Sequence, residues 1–399
     1  MAEKLNICLI SREFPPDTAF GGIATFSLDT ALMLKAHGHD VTVFSQSLGP
    51  SQVMDYQGIC VHKLHVPRPF GSYRVLPIFI LAFNFVIMRE VMRCHHQQPF
   101  DLVDAPDHLA EGLFATLFTN IPVVTRLHTP YSLIVKMGLN NYKKGISYHL
   151  IKFMEKQALR RSQALYAPCK DLVRRCNEMF SIGMVPTRIF GYPLDIQMFS
   201  VKDAANKDTP TRILFMGRLE QRKGIEVIIE AFPKLVELYP QATITLVGRD
   251  TPNILGFSSA RQYMQAAFER AGCANKVRFS EYVPLEQLPE IFHLHDIVWV
   301  PSMYDNFPIV CLEAMACGKA VVVSDAGGLP EMIQHGKNGM IFPTGDASAL
   351  CALTLKLCEN YEMRVSLGNN ARRYIEENCS MEAIYSHTMA LYHLALSRT

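Results

Sequence analysis

The chain has 399 residues, more than one hydrophobic core usually organises, so its length predicts two domains of comparable size. With 39 basic and 37 acidic residues, a formal net charge of +2 and 49% hydrophobic residues, the composition excludes a disordered chain and a nucleic-acid binder driven by global charge. The 11 cysteines include no Cys-x-x-Cys pair, which argues against a disulfide framework or a zinc site and favours the reducing cytosol.

The N-terminal half opens with the β-α-β pattern of a parallel sheet. An apolar strand is predicted over residues 5–11, a loop with Gly21 and Gly22 follows, and then come a helix over 24–37 and a strand over 41–45. Further strands are predicted at residues 102–104, 123–127 and 164–167. The alternation of strands and helices predicts a doubly wound α/β domain.

Two stretches of this half raise the question of membrane contact. Residues 75–88 are almost wholly apolar but shorter than the roughly 20 residues that span a bilayer, so we predict a buried helix, with a helix on the membrane surface as the alternative. Residues 143–175 are rich in Lys and Arg, which predicts either a solvated helical face or a surface for anionic lipid or an acidic acceptor. The apolar stretch 7–10 is too short for a signal peptide, so we expect a cytoplasmic protein, peripheral at the inner membrane face if the basic surface binds lipid.

The α/β pattern restarts after a polar linker at residues 201–211. Strands are predicted at residues 213–216, 243–247, 277–279, 297–300 and 320–324, with a helix over 224–238. The domains are therefore expected at 1–195 and 196–380, with the final helix, 381–399, packing back on the first domain. Ligands of such sheets bind at the carboxyl ends of the strands, so we expect the site in a cleft between the domains.

The most informative stretch is PSMYDNFPIVCLEAMACG, at 301–318. It follows a buried strand as a loop and becomes a helix near Pro308, which directs backbone N–H groups and the positive helix end towards a ligand. Asp305 and Glu313 are eight residues apart, so one carboxylate lies on the loop and the other about one and a half turns into the helix. The alternative is a solvated loop acid with a helix-surface Glu.

A second set of polar residues lies in MGRLEQRKG, at 216–224, between a strand and a helix. Arg218 and Lys223 can both contact one diphosphate from this turn, Arg through its planar fork and Lys as a point charge. Two solvated surface cations are the alternative, and Arg222 is expected to be such a surface cation.

The acid, seven residues and Glu of 301–318, together with the "GR then KG" pattern, resemble the signature of retaining glycosyltransferases of the GT4 type. The resemblance covers nearly the whole chain and implies the GT-B fold, with two Rossmann-like doubly wound domains facing each other across a cleft. It implies that Glu313 holds the ribose hydroxyls of a donor nucleotide and that Asp305, where most relatives have Glu, contacts the donor sugar. The substrate-binding stretch that it implies for the diphosphate comprises Asn306, Phe307, Pro308, Ile309 and Val310.

The same resemblance assigns further residues. Arg218 and Lys223 are expected to neutralise the leaving group, and His128, at the end of a strand, to contact the transferred sugar. Gly21 and Gly22 are expected to face the donor across the cleft, with a plain tight turn as the alternative. Tyr282 and Val283 lie in the loop where relatives hold the base.

The function implied is transfer of a sugar from a nucleoside-diphosphate sugar to an acceptor hydroxyl, with retention, in the synthesis of a polysaccharide, glycolipid or glycosylated metabolite. UDP-sugars are favoured as donors, with GDP- or ADP-sugars as alternatives, and no Asp-x-Asp motif is present, so no metal or other cofactor is expected. A nucleotide-sugar epimerase and a non-catalytic sugar-nucleotide-binding protein are the alternatives. A nicotinamide-dependent dehydrogenase is disfavoured because G-x-G-x-x-G does not follow the first strand.

Overall fold

The structure is a computed structural model that describes residues 4–18, 21–66, 76–138, 144–202, 210–254, 256–281 and 283–398. It contains two compact units. The N-terminal unit comprises Met1–Pro193 with Met381–Thr399, and the C-terminal unit comprises Leu194–Ser380. Each unit has an α/β architecture around a mainly parallel sheet, so the predicted α/β fold class is confirmed.

The N-terminal unit contains an eight-stranded sheet in the order β3-β4-β2-β1-β5-β6-β7-β8. Its strands are β1 Asn6–Ile10, β2 Asp40–Ser47, β3 Gln52–Tyr56, β4 Ile59–His65, β5 Leu102–Pro106, β6 Val123–Arg126, β7 Ala164–Ala167 and β8 Thr187–Ile189. Its helices are α1 Gly22–Ala36, α2 Leu76–Gln97, α3 Leu113–Phe118, α4 Tyr131–Lys136, α5 Ile146–Arg161, α6 Lys170–Phe180 and α14 Met381–Leu396. All neighbouring strands of this sheet are parallel except β3 and β4, which form an antiparallel hairpin. The sequence predicts neither this hairpin nor β8.

The C-terminal unit contains a fully parallel six-stranded sheet in the order β13-β10-β9-β14-β15-β16. Its strands are β9 Arg212–Met216, β10 Thr243–Val247, β13 Val277–Ser280, β14 Ile297–Val300, β15 Ala320–Ser324 and β16 Met340–Phe342, and β11 Pro252–Ile254 pairs separately with β12 Phe257–Ser259. Its helices are α7 Ile225–Leu238, α8 Ala260–Arg270, α9 Leu288–His293, α10 Ile309–Ala316, α11 Leu329–Met332, α12 Ala347–Glu359 and α13 Tyr361–Asn378.

The central strands of the C-terminal unit are buried on both faces. Every residue of β14 and of β15 is buried, which is why these strands appear in the sequence as continuous apolar runs without alternation. Trp299 of β14 is 1% exposed, and its indole N–H donates to the Thr354 hydroxyl at 2.9 Å. The predicted helix near Pro308 is α10, whose first residue is Ile309.

Helix α2 differs from its prediction. Residues 75–88 were expected to form a buried helix, but α2 exposes Ile78 (61%), Leu81 (43%) and Phe85 (61%) while it buries Phe79, Ile80 and Phe83. The prediction of a buried helix was therefore wrong for one face, because a run that is apolar all round does not show which face packs on the sheet. None of the described helices is long and apolar enough to cross a membrane.

Candidate active site

The candidate site of the C-terminal unit lies where its strand order reverses. From β9 the chain passes to β10 on one side, and it later returns to β14 on the other side of β9. In parallel α/β sheets, the loops that leave two such strands at their carboxyl ends diverge and form a ligand-binding crevice. Here these loops are residues 217–224, after β9, and residues 301–308, after β14.

The two loops are joined by an ion pair between Lys223 and Asp305. The Lys223 Nζ atom lies 2.6 Å from Asp305 Oδ2, and the Asp305 side chain is 9% exposed. Burial opposes ionisation of Asp305, but the positive charges of Lys223 and Arg222 outweigh it and hold the pKa of Asp305 below its ordinary value. Asp305 is therefore ionised at neutral pH, and the ion pair with Lys223 fixes the orientation of its carboxylate.

Arg222 takes part in the same network. Its guanidinium lies 3.8 Å from Asp305 Oδ2, donates to the Tyr304 carbonyl at 3.3 Å and pairs with Glu220 at 2.8 Å. The side chain is 21% exposed, so the expectation of a solvated surface cation was wrong. The strand-to-helix turn brings Arg222 towards Tyr304 and Asp305 of a loop that is some 80 residues later in the chain, and this proximity is not visible in the local sequence.

Two glycines allow the loops of the crevice to pack closely. Gly224 has φ +80°, and a Cβ atom there would lie 1.9 Å from the Pro301 carbonyl oxygen. Gly327 has φ +60°, and a Cβ atom there would lie 2.0 Å from the Asp305 carbonyl oxygen, which also accepts the Gly328 N–H at 2.9 Å. Only glycine tolerates both the backbone conformation and this contact, so Gly224 allows the turn after β9 to pack on Pro301 and Gly327 allows its loop to pack on the backbone of Asp305.

Glu313 is buried without a hydrogen-bond or ion-pair partner among the described residues. It lies in α10, five residues into the helix, and is 5% exposed. Its carboxylate forms no hydrogen bond or ion pair with the residues that the structure describes, and burial raises its pKa to about 7. Buried carboxylates usually have hydrogen-bond partners in the protein, so an uncompensated one indicates a place for a ligand that donates hydrogen bonds.

Further groups that can bind an anion lie nearby in sequence. Arg218 is exposed, and its side chain forms no ion pair with any described residue. The backbone N–H groups of Ile309 and Val310 lie at the start of α10, and neither has an acceptor among the described residues. The first N–H of the helix with an acceptor is that of Cys311, which donates to the Pro308 carbonyl at 3.0 Å. Free N–H groups at a helix start and an unpaired guanidinium are the groups that bind phosphate. Asn306 and Phe307 are buried, and the Asn306 side chain accepts the Phe307 N–H at 3.0 Å.

In the N-terminal unit, His128 follows β6 and is 8% exposed. Its Nδ1 atom lies 3.1 Å from the Tyr192 hydroxyl, its ring packs edge-on against Phe26, and its backbone N–H donates to Asp107 at 2.9 Å. Burial, followed by the charges of Arg126 and His108, holds the pKa of His128 well below its ordinary value. The imidazole is therefore neutral at pH 7 and can act as a hydrogen-bonding group without adding charge.

Buried carboxylates that do not stand out in the sequence hold the backbone around His128. Glu155 of α5 accepts the N–H groups of Leu109, Tyr131 and Ser132 at 3.2, 2.7 and 3.1 Å, and burial raises its pKa to about 7. Thr129, next to His128, has φ +130°, a strained backbone conformation for a β-branched residue. The one local signal in the sequence is that Glu155 lies on the face of α5 that is otherwise apolar and buried. Its hydrogen-bond partners are more than 20 residues distant in sequence.

The other predicted site residues are less informative. Gly21 has an extended backbone (φ −177°), its carbonyl accepts the Ala24 N–H at 3.0 Å, and it and Gly22 are exposed at the start of α1. Their expected position facing the donor stays a prediction. Val283 is half-buried in the loop after β13, and Tyr282 lies outside the described residues. The structure thus brings Lys223 and Asp305 into contact, while Arg218 makes no such contact.

Comparison with known proteins agrees with these features. The family model "Glycosyl transferases group 1" matches residues 198–374, and the model "Glycosyltransferase Family 4" matches residues 20–190. A D-inositol 3-phosphate glycosyltransferase of Corynebacterium jeikeium is 34% identical over 374 residues, which is 88% of this chain and 86% of that protein.

Two solved structures have the same fold. The sucrose-phosphate synthase of Thermosynechococcus elongatus superposes with a TM-score of 0.83 at 21% identity, over 99% of this chain and all of that chain. The Anabaena protein HepE in complex with UDP-glucose superposes with a TM-score of 0.72 at 18% identity, over 97% of this chain and 98% of that chain. At these identities the likeness concerns the fold alone.

Proposed function

Because the chain belongs to the group 1, family 4 glycosyltransferases, and is therefore a glycosyltransferase, we propose that it transfers a sugar from a nucleoside-diphosphate sugar to an acceptor hydroxyl with retention of configuration. The donor binds the C-terminal unit at the carboxyl ends of β9 and β14. UDP-sugars are the favoured donors, and the UDP-glucose complex of HepE, a protein of the same fold, supports this choice.

The observation that carries the proposal is the state of Glu313. A carboxylate that is 5% exposed and has no partner among the described residues is destabilising unless a ligand supplies hydrogen bonds. The two hydroxyls of a ribose are donors that a carboxylate can accept side by side. Glu313 thus binds the ribose of the donor nucleotide.

The diphosphate is bound by charges that the protein itself provides. Arg218 is exposed and has no ion-pair partner in the described part of the chain, and the Ile309 and Val310 N–H groups lie at the positive end of α10. Lys223, paired with Asp305, adds a further cation. As the bond between the sugar C1 atom and the phosphate oxygen breaks, its electron pair passes to that oxygen, and these groups stabilise the added charge. No metal ion is required in this scheme.

Asp305 and His128 act on the sugar. Asp305 is ionised and fixed by Lys223, so it can accept a hydrogen bond from a hydroxyl of the transferred sugar, and neutral His128 contacts the sugar near C1. The acceptor oxygen then bonds to C1 on the face that the phosphate leaves, and its proton passes to the departing phosphate oxygen. Retention follows because attack and departure take place on one face.

Thermal shift with UDP, GDP and ADP tests the donor assignment. A nucleotide that binds only the folded state raises the melting temperature by mass action, and we expect the largest rise with UDP. Glu313→Gln should reduce that rise, whereas Glu237→Gln, at an exposed glutamate on α7 of the same unit, should not. Equal shifts for the wild type and Glu313→Gln would contradict the assigned role of Glu313.

A further inference from the structure

Three helices of the N-terminal unit pack side by side over one core. Ile80 of α2, Leu113 of α3 and Ile151 of α5 are buried in the same apolar cluster. The Asn84 side chain of α2 also accepts the Phe114 N–H of α3 at 3.1 Å. Because their inner faces share a core, the outer faces of these helices are neighbours on the surface of the unit.

Those outer faces are apolar. The exposed large hydrophobic side chains on them are Ile78, Leu81 and Phe85 of α2, Leu117 and Phe118 of α3, and Ile146, Leu150 and Phe153 of α5. Within α2 and within α5 they recur at intervals of three and four residues, so each helix presents one apolar stripe. We call these eight side chains the α2–α3–α5 surface. Exposed hydrophobic residues are common singly, but so many on adjoining helices mark an interaction surface.

The charge of α5 indicates the partner. Its cations are Lys152, Lys156, Arg160 and Arg161, and none pairs with an acid in the described residues. Its one acid, Glu155, is fully buried and holds backbone N–H groups inside the unit. The outward charge of this helix is therefore wholly positive.

The next basic helix makes a useful contrast. In α6, Arg174 pairs with Asp171 and Glu178, and Arg175 also pairs with Asp171. The basic stretch predicted at 143–175 thus divides into an α5 part whose cations lack acidic partners among the described residues and an α6 part whose arginines are neutralised. Lys143 lies outside the described residues.

We propose that the α2–α3–α5 surface docks the N-terminal unit on an anionic membrane surface. Phe85, Phe153 and their apolar neighbours enter the boundary between headgroups and acyl chains, and the cations of α5 contact lipid phosphates. Exposed apolar side chains beside a helix whose exposed charges are all positive suit an anionic bilayer better than a second copy of the chain. In a symmetric dimer through this surface, the cations of α5 would lie opposite the same cations of the other copy and repel them. This inference concerns a surface of the N-terminal unit and does not depend on the proposed function.

Sedimentation with sucrose-loaded vesicles tests the proposal without donor or acceptor. The full-length protein should bind vesicles of phosphatidylcholine with about 30% phosphatidylglycerol, bind pure phosphatidylcholine far less, and lose binding as salt rises from about 0.1 to about 0.5 M. The double variant Phe85→Ser/Phe153→Ser should bind at least about tenfold more weakly. The matched control is Val53→Ser/Met184→Ser, which alters two exposed apolar residues elsewhere on the same unit and should bind like the wild type.

The electrostatic part has its own pair of variants. Arg160→Glu, in the last turn of α5, should weaken binding to anionic vesicles roughly fivefold or more, whereas Arg270→Glu, in the last turn of α8 in the other unit, should not. Failure of the wild type to sediment with anionic vesicles at low salt would overturn the proposal. Equal losses of vesicle binding in a variant and its matched control would also overturn it. So would a wild-type protein that binds no vesicles but forms a dimer, if Phe85→Ser/Phe153→Ser dissociates that dimer.

Discussion

Replacement of Glu313 by glutamine should stabilise the C-terminal unit at high pH while it weakens donor binding. Burial raises the pKa of Glu313 from 4.5 to about 7, so between these values the folded state binds a proton that the unfolded state has released. The free energy of unfolding therefore falls as the pH rises from about 4.5 to about 7. The amide of the Glu313→Gln variant does not titrate, so the variant escapes this loss.

The magnitude follows from the displacement of the pKa. At about 1.4 kcal/mol for each pH unit, the shift of Glu313 corresponds to about 3 kcal/mol of stability lost between pH 4.5 and pH 8. The substitution also buries an amide, but this cost is the same at both pH values. The difference between the two pH values therefore isolates the titration of Glu313.

Trp299 makes the assay specific for this unit. It is the only tryptophan of the chain and lies in the core of the C-terminal unit, so its fluorescence during urea unfolding reports that unit. Relative to the wild type, Glu313→Gln should gain about 3 kcal/mol between pH 4.5 and pH 8. Glu237→Gln, at an exposed position, serves as control and should gain almost nothing. A gain below about 1 kcal/mol for Glu313→Gln would refute the account of Glu313 as a buried carboxylate without a partner.

Asp305→Asn, a change that keeps the shape, should preserve the affinity for the nucleoside diphosphate while turnover falls, because the carboxylate acts on the sugar. Measurement of kcat and of the Kd of the diphosphate tests this, and the reverse pattern would assign Asp305 to the nucleotide. Arg218→Ala and Lys223→Ala should each lower turnover about a hundredfold, since each removes one fixed contact to the leaving group; near-normal turnover in both variants would contradict that role. Donor turnover should survive exhaustive EDTA treatment, since the protein's own charges meet the diphosphate; complete loss that Mn²⁺ restores would show that a metal neutralises it.

The sequence was sufficient to predict most of the parallel strands of both sheets, but not β4, β8 or β16. Strands such as 164–167 and 297–300 are short apolar runs between turn residues, and the structure has them at the same bounds because both of their faces are buried. The β3–β4 hairpin was not predicted because β3 is largely exposed and carries no apolar run. The orientation of the first part of α2 could not be predicted because residues 76–88 are almost wholly apolar.

The candidate site was predictable only where its residues are close in sequence. The pair of acids at Asp305 and Glu313, and the cations at Arg218 and Lys223, stand out locally. The opposite states of the two acids do not, because the pairing of Asp305 and the isolation of Glu313 depend on which loops the sheet brings together. The ion pairs of Arg222 and the hydrogen bonds that Glu155 accepts from backbone N–H groups depend on tertiary contacts in the same way.

The most direct test of the central claim is the first product of donor turnover. Incubated with UDP-α-glucose and with water as the acceptor, the enzyme should release UDP and glucose, and proton NMR taken before mutarotation should detect the α-anomer first. Glu313→Ala should slow this release through weaker donor binding. Appearance of the β-anomer first would contradict retention, and release of no nucleoside diphosphate from UDP-, GDP- or ADP-glucose would contradict the proposed donor class.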